Sequence, residues 1–138
     1  MTSPIHNESP DERFGCATCW PEAADAAWEA SRQLTETTEL VDESHFRVTI
    51  RACPACAQQF VAIFTDTVDW ASGDDPQYWT VLPVSASEAD ELRLRGADLS
   101  ERKLDSLPAM RRSLRRDWPK GGVRRAYWSN GIIVGHHD

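Results

Sequence analysis

Hydrophobic and polar residues alternate along three segments of the chain, with the period of two that is typical of β-strands. The first segment is 45–51, which is apolar on one side and carries arginine and threonine on the other. The second, 58–65, is apolar on both sides, which predicts that both faces of its sheet are covered. The third is 78–84. These segments predict a mainly antiparallel sheet.

Three short helices are predicted, over about 21–34, 87–95 and 108–117, the first from the apolar residues on one of its sides and from Pro21 at its start. The second helix is predicted from its ends, since either Ser85 with Glu88 or Ser87 with Asp90 can cap its start and Gly96 can end it. The third helix is predicted from apolar residues at i, i+4 and i+8. With the sheet, these helices predict an α+β fold.

The dipeptide Asn130-Gly131 is a strong signal for a two-residue hairpin turn. Apolar and polar residues alternate on both sides of it, over 123–129 and 132–136. This pattern predicts a C-terminal hairpin.

The remaining segments are rich in polar residues and turn-formers. We interpret 1–13 as a flexible arm and 14–138 as one domain, because 138 residues are typical of a single core. The acidic segment 35–44 and the Asp-rich segment 69–77 are predicted to be loops. A further turn or helix is predicted over 100–107.

All four cysteines lie in two Cys-x-x-Cys pairs, Cys16 with Cys19 and Cys53 with Cys56. Two such pairs can complete a tetrahedral four-thiolate metal site, which predicts a structural zinc ion. The second pair lies between two predicted strands, at the tip of a hairpin. A rubredoxin-like iron site or a redox-active pair would use the same residues and remains an alternative at this point.

The spacing of these four cysteines resembles that of the zinc-ribbon and treble-clef proteins. The resemblance covers about a third of the chain and implies four zinc ligands: Cys16, Cys19, Cys53 and Cys56. Zinc knuckles of this kind often have glycine directly after the second cysteine, where this chain has Trp20 and Ala57. The resemblance implies no particular activity.

The formal net charge of −7 is unevenly distributed. Residues 1–100 contain six arginines and eighteen acidic residues, whereas residues 101–125 contain nine basic and three acidic ones. The acidic part predicts electrostatic attraction to a basic protein partner. The candidate contact residues are carboxylates and aromatic side chains in and beside the Asp-rich loop: Trp70, Asp74, Asp75, Tyr78 and Trp79.

The basic segment suggests an alternative partner, because arginines on one side of a helix can bind phosphates. The candidate nucleic-acid contacts are Arg111, Arg112, Arg115 and Arg116. A self-paired, solvated surface is the competing interpretation.

We find no arrangement of serine or cysteine with histidine that predicts a nucleophile, and no long apolar segment. We therefore expect a non-catalytic, cytoplasmic zinc protein that acts through protein–protein interaction, such as a toxin-neutralising (immunity-type) protein or an adaptor. The alternative is a nucleic-acid-associated regulator that uses residues 111–125.

Overall fold

The computed structural model describes residues 14–96, 104 and 106–135. The predicted arm 1–13 and most of the segment 100–107 lie outside the described residues. The described elements, in chain order, are α1 (Ala24–Ser31), β1 (Thr35–Glu43), β2 (Phe46–Ala52), β3 (Gln59–Asp66), β4 (Gln77–Val84), α2 (Ala86–Arg95), β5 (Arg112–Trp118) and β6 (Arg125–Asn130).

The six strands form one sheet in which each strand is antiparallel to its neighbours in sequence. The order is therefore β1-β2-β3-β4-β5-β6. This arrangement confirms the predicted α+β fold with a mainly antiparallel sheet. The three strands predicted from alternation correspond to β2, β3 and β4.

Both faces of the sheet are covered, as the doubly apolar pattern of β3 predicts. On the face that we call upper, α1 packs against β5 and β6, and its Ala27 belongs to one apolar cluster with alternate strand residues, including Phe60, Ala62, Val81 and Leu114. On the lower face, α2 packs against the intervening residues, including Val48, Ile50, Val61, Ile63 and Leu82. The sheet is thus the middle layer between two apolar clusters.

The two described helices confirm two of the three predicted ones, with shorter bounds for α1. Of the two predicted capping pairs of α2, Ser85 with Glu88 is the one formed: Ser85 Oγ accepts from the Glu88 N–H at 3.1 Å, and Glu88 Oε1 accepts from the Ser85 N–H at 2.8 Å. No helix in the described part of the chain is long and apolar enough to cross a membrane.

The predicted loop 35–44 is instead the edge strand β1. Its acidic side chains pair with Arg47 on the adjacent strand, which lies 2.6 Å from Glu39, 3.6 Å from Asp42 and 3.9 Å from Glu36. Two register shifts in the β1–β2 pairing interrupt the alternation of the strand. The segment has the acidic composition of a loop because its carboxylates form cross-strand ion pairs, and it lacks regular alternation because its pairing is irregular.

The predicted helix 108–117 is also wrong, because this region contains the strand β5. The prediction rested on Met110, Leu114 and Trp118, which are four residues apart. A spacing of four brings residues to the same side of a helix and also to the same face of a strand. Leu114 is indeed buried on the upper face, whereas Met110 is 84% exposed before the strand begins.

The first strand of the predicted C-terminal hairpin, 123–129, is confirmed as β6, but no second strand follows it within the described residues. The chain passes the Asn-Gly dipeptide without reversing into a second strand, and the N–H of Gly131 donates to the carbonyl of Arg111 at 2.7 Å. The following segment passes to the lower face, where Ile132 and Val134 pack on the apolar cluster. The alternation after Gly131 therefore reflects a segment that crosses the sheet rather than a strand that extends it.

Candidate metal centre

The four cysteines meet at one end of the sheet. The second pair lies at the tip of the β2–β3 hairpin, as predicted, and the first pair lies just before α1. Their sulfur atoms all lie within 4.8 Å of one another. The Sγ–Sγ distances are 3.7 Å for Cys16–Cys19, 3.9 Å for Cys16–Cys53 and 3.8 Å for Cys19–Cys56.

These distances fit one tetrahedral metal ion. With metal–sulfur bonds of about 2.3 Å, a regular tetrahedron has sulfur–sulfur edges of about 3.8 Å. A disulfide requires about 2.05 Å, so the four residues are free thiols or thiolates. The arrangement is therefore a donor set that could hold a metal ion.

Both pairs sit in tight turns of similar backbone geometry. The N–H of Trp20 donates to the carbonyl of Cys16, and the N–H of Ala57 donates to the carbonyl of Cys53, both at 2.8 Å. Ala57 has a φ of 67°, the left-handed conformation that favours glycine. Ala57 thus has the left-handed conformation that glycine has in such knuckles, whereas Trp20, at the same place in the first knuckle, does not have a positive φ.

Backbone N–H groups also point at the sulfur atoms. The Cys16 N–H donates to Cys19 Sγ at 3.2 Å, and the Ala55 N–H donates to Cys53 Sγ at 3.3 Å. Such bonds stabilise thiolates and orient them toward a shared cation.

Two residues outside the cysteine pattern join the knuckles, and sequence reasoning missed both. Gln58 accepts from the Gly15 N–H at 2.9 Å and donates to the carbonyl of Val84 at 2.8 Å, so it links the first knuckle to two strands. Gly15 has a φ of 71°, and a Cβ there would lie 2.9 Å from Cys19 Sγ. A glycine directly before the first cysteine was the signal available in the sequence.

The ionisation of the thiols is uneven without a cation. The backbone N–H groups of Cys19 and Thr18 lower the pKa of the Cys16 thiol to about 6. Burial raises the pKa of the Cys19 thiol well above its ordinary value. Four adjacent thiols therefore do not all ionise unless a bound metal offsets the negative charge, and metal binding releases protons.

A cavity of about 320 Å³ opens beside the cysteine cluster, between the first knuckle and the C-terminal half of α1. Its lining includes Cys19, Cys53, Ala30 and Leu34. If all four sulfur atoms bind one ion, its tetrahedral shell is complete. The cavity then lies beside the metal site, but the ion has no free coordination position that a molecule in the cavity could occupy.

The predicted partner-binding residues do not form one surface. Tyr78 and Trp79 are adjacent in β4, so they point to opposite faces of the sheet. Trp79 packs among the aromatic rings of the upper face, 5.0 Å from Phe64 and 5.7 Å from Trp28 between ring centroids. Trp70, by contrast, is 90% exposed in the β3–β4 loop.

The carboxylates of this loop hold it in place. Asp75 Oδ1 accepts from the Asp69 N–H at 2.8 Å, and Asp74 Oδ2 accepts from the Gly121 N–H at 2.7 Å in the β5–β6 turn. Asp69 accepts from the Ser72 hydroxyl and pairs with Lys120 at 3.1 Å, and these two contacts hold the pKa of Asp69 well below its usual range. Trp70 is therefore presented by a braced loop.

The four candidate nucleic-acid contacts are divided between the two faces of the sheet. Arg111 forms a bidentate ion pair with Glu88 at 2.6 and 3.2 Å, and Arg115 is buried beside Asp117 at 3.2 Å. Arg112 and Arg116 lie on the upper face, where they contact tryptophan rings. The predicted arginine cluster is thus two separate pairs.

Comparisons with protein-family models, with curated proteins and with solved structures each gave no match.

Proposed function

We propose that this protein is a small, non-catalytic zinc-binding protein that acts by binding another protein. The convergence of four sulfur atoms on tetrahedral spacing carries the zinc part of the proposal. Zn²⁺ prefers such a thiolate set, and a complete shell leaves no position for water or substrate, which supports a structural role. Free thiols fit a reducing compartment such as the cytoplasm.

Trp70 supports the interaction part of the proposal. An exposed tryptophan on a braced loop loses little conformational entropy on binding, and tryptophan is enriched among residues that dominate interface energies. The neighbouring Asp74 and Asp75 favour a basic partner. A toxin-neutralising protein or an adaptor subunit would combine these properties.

Native mass spectrometry of untagged protein, isolated anaerobically from its own cells, tests the zinc proposal. We expect the mass of one zinc ion per chain, lost together with the native charge-state distribution when a chelator is added. Bound iron, or a metal-free chain with a disulfide, would overturn the proposal.

The interaction proposal is tested with Trp70→Ala and the matched control Met110→Ala, since these side chains are 90% and 84% exposed. We expect a partner retained by the wild-type protein to bind Trp70→Ala at least about tenfold more weakly and Met110→Ala unchanged. Equal retention by both variants would remove Trp70 from the interface.

A second candidate function is a nucleic-acid-associated regulator that uses residues 111–125. The observation that favours it is the position of Arg112 and Arg116 on tryptophan rings of the upper face.

A further inference from the structure

Arginine and tryptophan side chains are paired repeatedly on the upper face. Between guanidinium carbon and ring centroid, Arg124 lies 3.6 Å from Trp118, Arg112 lies 3.9 Å from Trp128, and Arg116 lies 5.3 Å from Trp28. The three tryptophans come from β5, β6 and α1, so the pairs result from tertiary structure. We call these six residues the Arg–Trp surface.

The arginines of this surface differ from Arg47 and Arg111 in their charge pairing. Within the described residues, none of Arg112, Arg116 and Arg124 forms an ion pair. Arg47 and Arg111, by contrast, are paired with acidic side chains. A local excess of positive charge therefore remains on an acidic protein.

The surface is long enough to follow an extended polymer. Arg112 and Trp118 are six residues apart in β5, which corresponds to about 20 Å at the usual rise of a strand. Arg112 and Arg124, near its two ends, are solvent-exposed, while the tryptophans are half-buried. The guanidinium groups are thus distributed along the strand direction, and each contacts a half-buried tryptophan ring.

We propose that the Arg–Trp surface binds single-stranded nucleic acid. Such binding combines cationic contacts to the phosphates with stacking of the bases on aromatic or guanidinium planes, and each Arg–Trp pair offers both. An acidic peptide would use the charge but has no need of the rings. This inference specifies the second candidate function, and its six residues include neither Trp70 nor any of the four cysteines.

The test is titration of zinc-loaded protein with fluorescein-labelled oligothymidine of about 12 nucleotides, a length within the usual site sizes. We expect saturable binding at low salt, with the logarithm of the binding constant falling against the logarithm of salt concentration with a slope of about −2. That slope corresponds to three phosphate contacts on a single strand.

The double variant Arg112→Gln/Arg124→Gln removes two exposed charges of the surface. We expect it to bind oligothymidine at least about tenfold more weakly and to show a shallower salt slope. The matched control is Arg95→Gln/Arg125→Gln, which removes two exposed arginines from α2 and from the opposite side of β6. It should bind within about twofold of the wild-type protein.

Two further variants separate the effect of the guanidinium plane from that of its charge, and the Arg–Trp surface from Trp70. Arg124→Lys keeps the charge but removes the plane, so it should bind less tightly than the wild type, and it serves as a second probe if the double variant does not fold. Trp70→Ala should bind oligothymidine normally, so failure of the protein-interaction proposal and failure of this one are distinguishable.

Three results would overturn the proposal. These are no saturable binding at low salt, equal losses in the surface and control double variants, and equally tight binding of inorganic polyphosphate. The last result would identify a general polyanion site in which bases have no part.

Discussion

Removal of one cysteine should destabilise the whole domain if the four sulfur atoms hold a metal ion. The substitution Cys53→Ser is the sharpest test, since Cys53 is only 3% exposed and would join the end of β2 to the first knuckle through a shared ion. Cys19 and Cys53 are separated by 33 residues, which contain α1, β1 and β2.

The expected size of the effect follows from this chain separation. A cross-link that closes a loop of about 35 residues reduces the entropy of the unfolded chain by an amount worth about 4 kcal/mol at room temperature. Loss of the link should therefore lower the free energy of unfolding by about 4 kcal/mol, a large part of the 5–15 kcal/mol that is roughly typical of whole domains.

The assay is urea unfolding of zinc-loaded protein, followed by tryptophan fluorescence. With a denaturant slope of about 2 kcal/mol per molar, the midpoint of Cys53→Ser should lie about 2 M below that of the wild type. A chelator should bring the wild type to the midpoint of the variant and leave the variant unchanged. A midpoint shared by the variant, the wild type and the chelated wild type would refute the reasoning.

Three further predictions concern the fold. Burial raises the pKa of Glu88, but the bidentate pair with Arg111 and the Ser85 N–H outweigh burial, so the pKa is lowered overall. The ionised Glu88 therefore stabilises the fold above the ordinary pKa of glutamate, and this stabilisation is lost as the pH falls through the lowered pKa. In thermal unfolding, Glu88→Gln should lower the free energy of unfolding by about 1–2 kcal/mol at neutral pH and by progressively less below about pH 4. Arg115→Met should lower the free energy of unfolding by about 3 kcal/mol, because the half-buried Asp117 keeps its bond from the Tyr127 hydroxyl but loses the paired guanidinium. Added Asp117→Asn should recover part of the loss, and an unchanged unfolding midpoint would show that the pair is energetically neutral. Ala57→Gly should raise the free energy of unfolding by up to about 1 kcal/mol, because glycine adopts the left-handed conformation of this position without strain. The control Ala55→Gly should not stabilise the protein, and equal effects of the two substitutions would argue against strain at Ala57.

Local signals in the sequence were sufficient for the central strands, for α2 and for the knuckles. The capping box and the Cys-x-x-Cys turns depend on residues within four positions of one another, so their geometry is largely encoded where they occur. The strand β1 is different, because its acidic residues are explained by Arg47 on the next strand. That partner is close in sequence, but its pairing becomes evident only when the two segments are placed side by side as a hairpin.

The arginines show how one wrong element changes a functional prediction. In a helix, Arg111, Arg112, Arg115 and Arg116 would lie on one broad side, whereas a strand sends successive residues to opposite faces. Arg111 and Arg115 therefore form ion pairs with Glu88 and Asp117, whereas Arg112 and Arg116 lie on the upper face. Their tryptophan partners come from α1 and β6, which no pattern within 108–117 could reveal.

The strict meander order of the sheet has a consequence for how the chain folds. Every strand pairs with the strand next to it in sequence, so the sheet can grow one strand at a time. Four of the five connections are short, and only the β4–β5 connection, which contains α2, closes a longer loop. The first knuckle and α1 are the exception, because they pack against β5 and β6, and Trp128 Nε1 reaches the carbonyl of Glu22 across 106 positions. Docking of this N-terminal segment is then the step with the highest contact order, and a metal ion already held at the β2–β3 tip would bring the segment to the sheet before the last strand arrives.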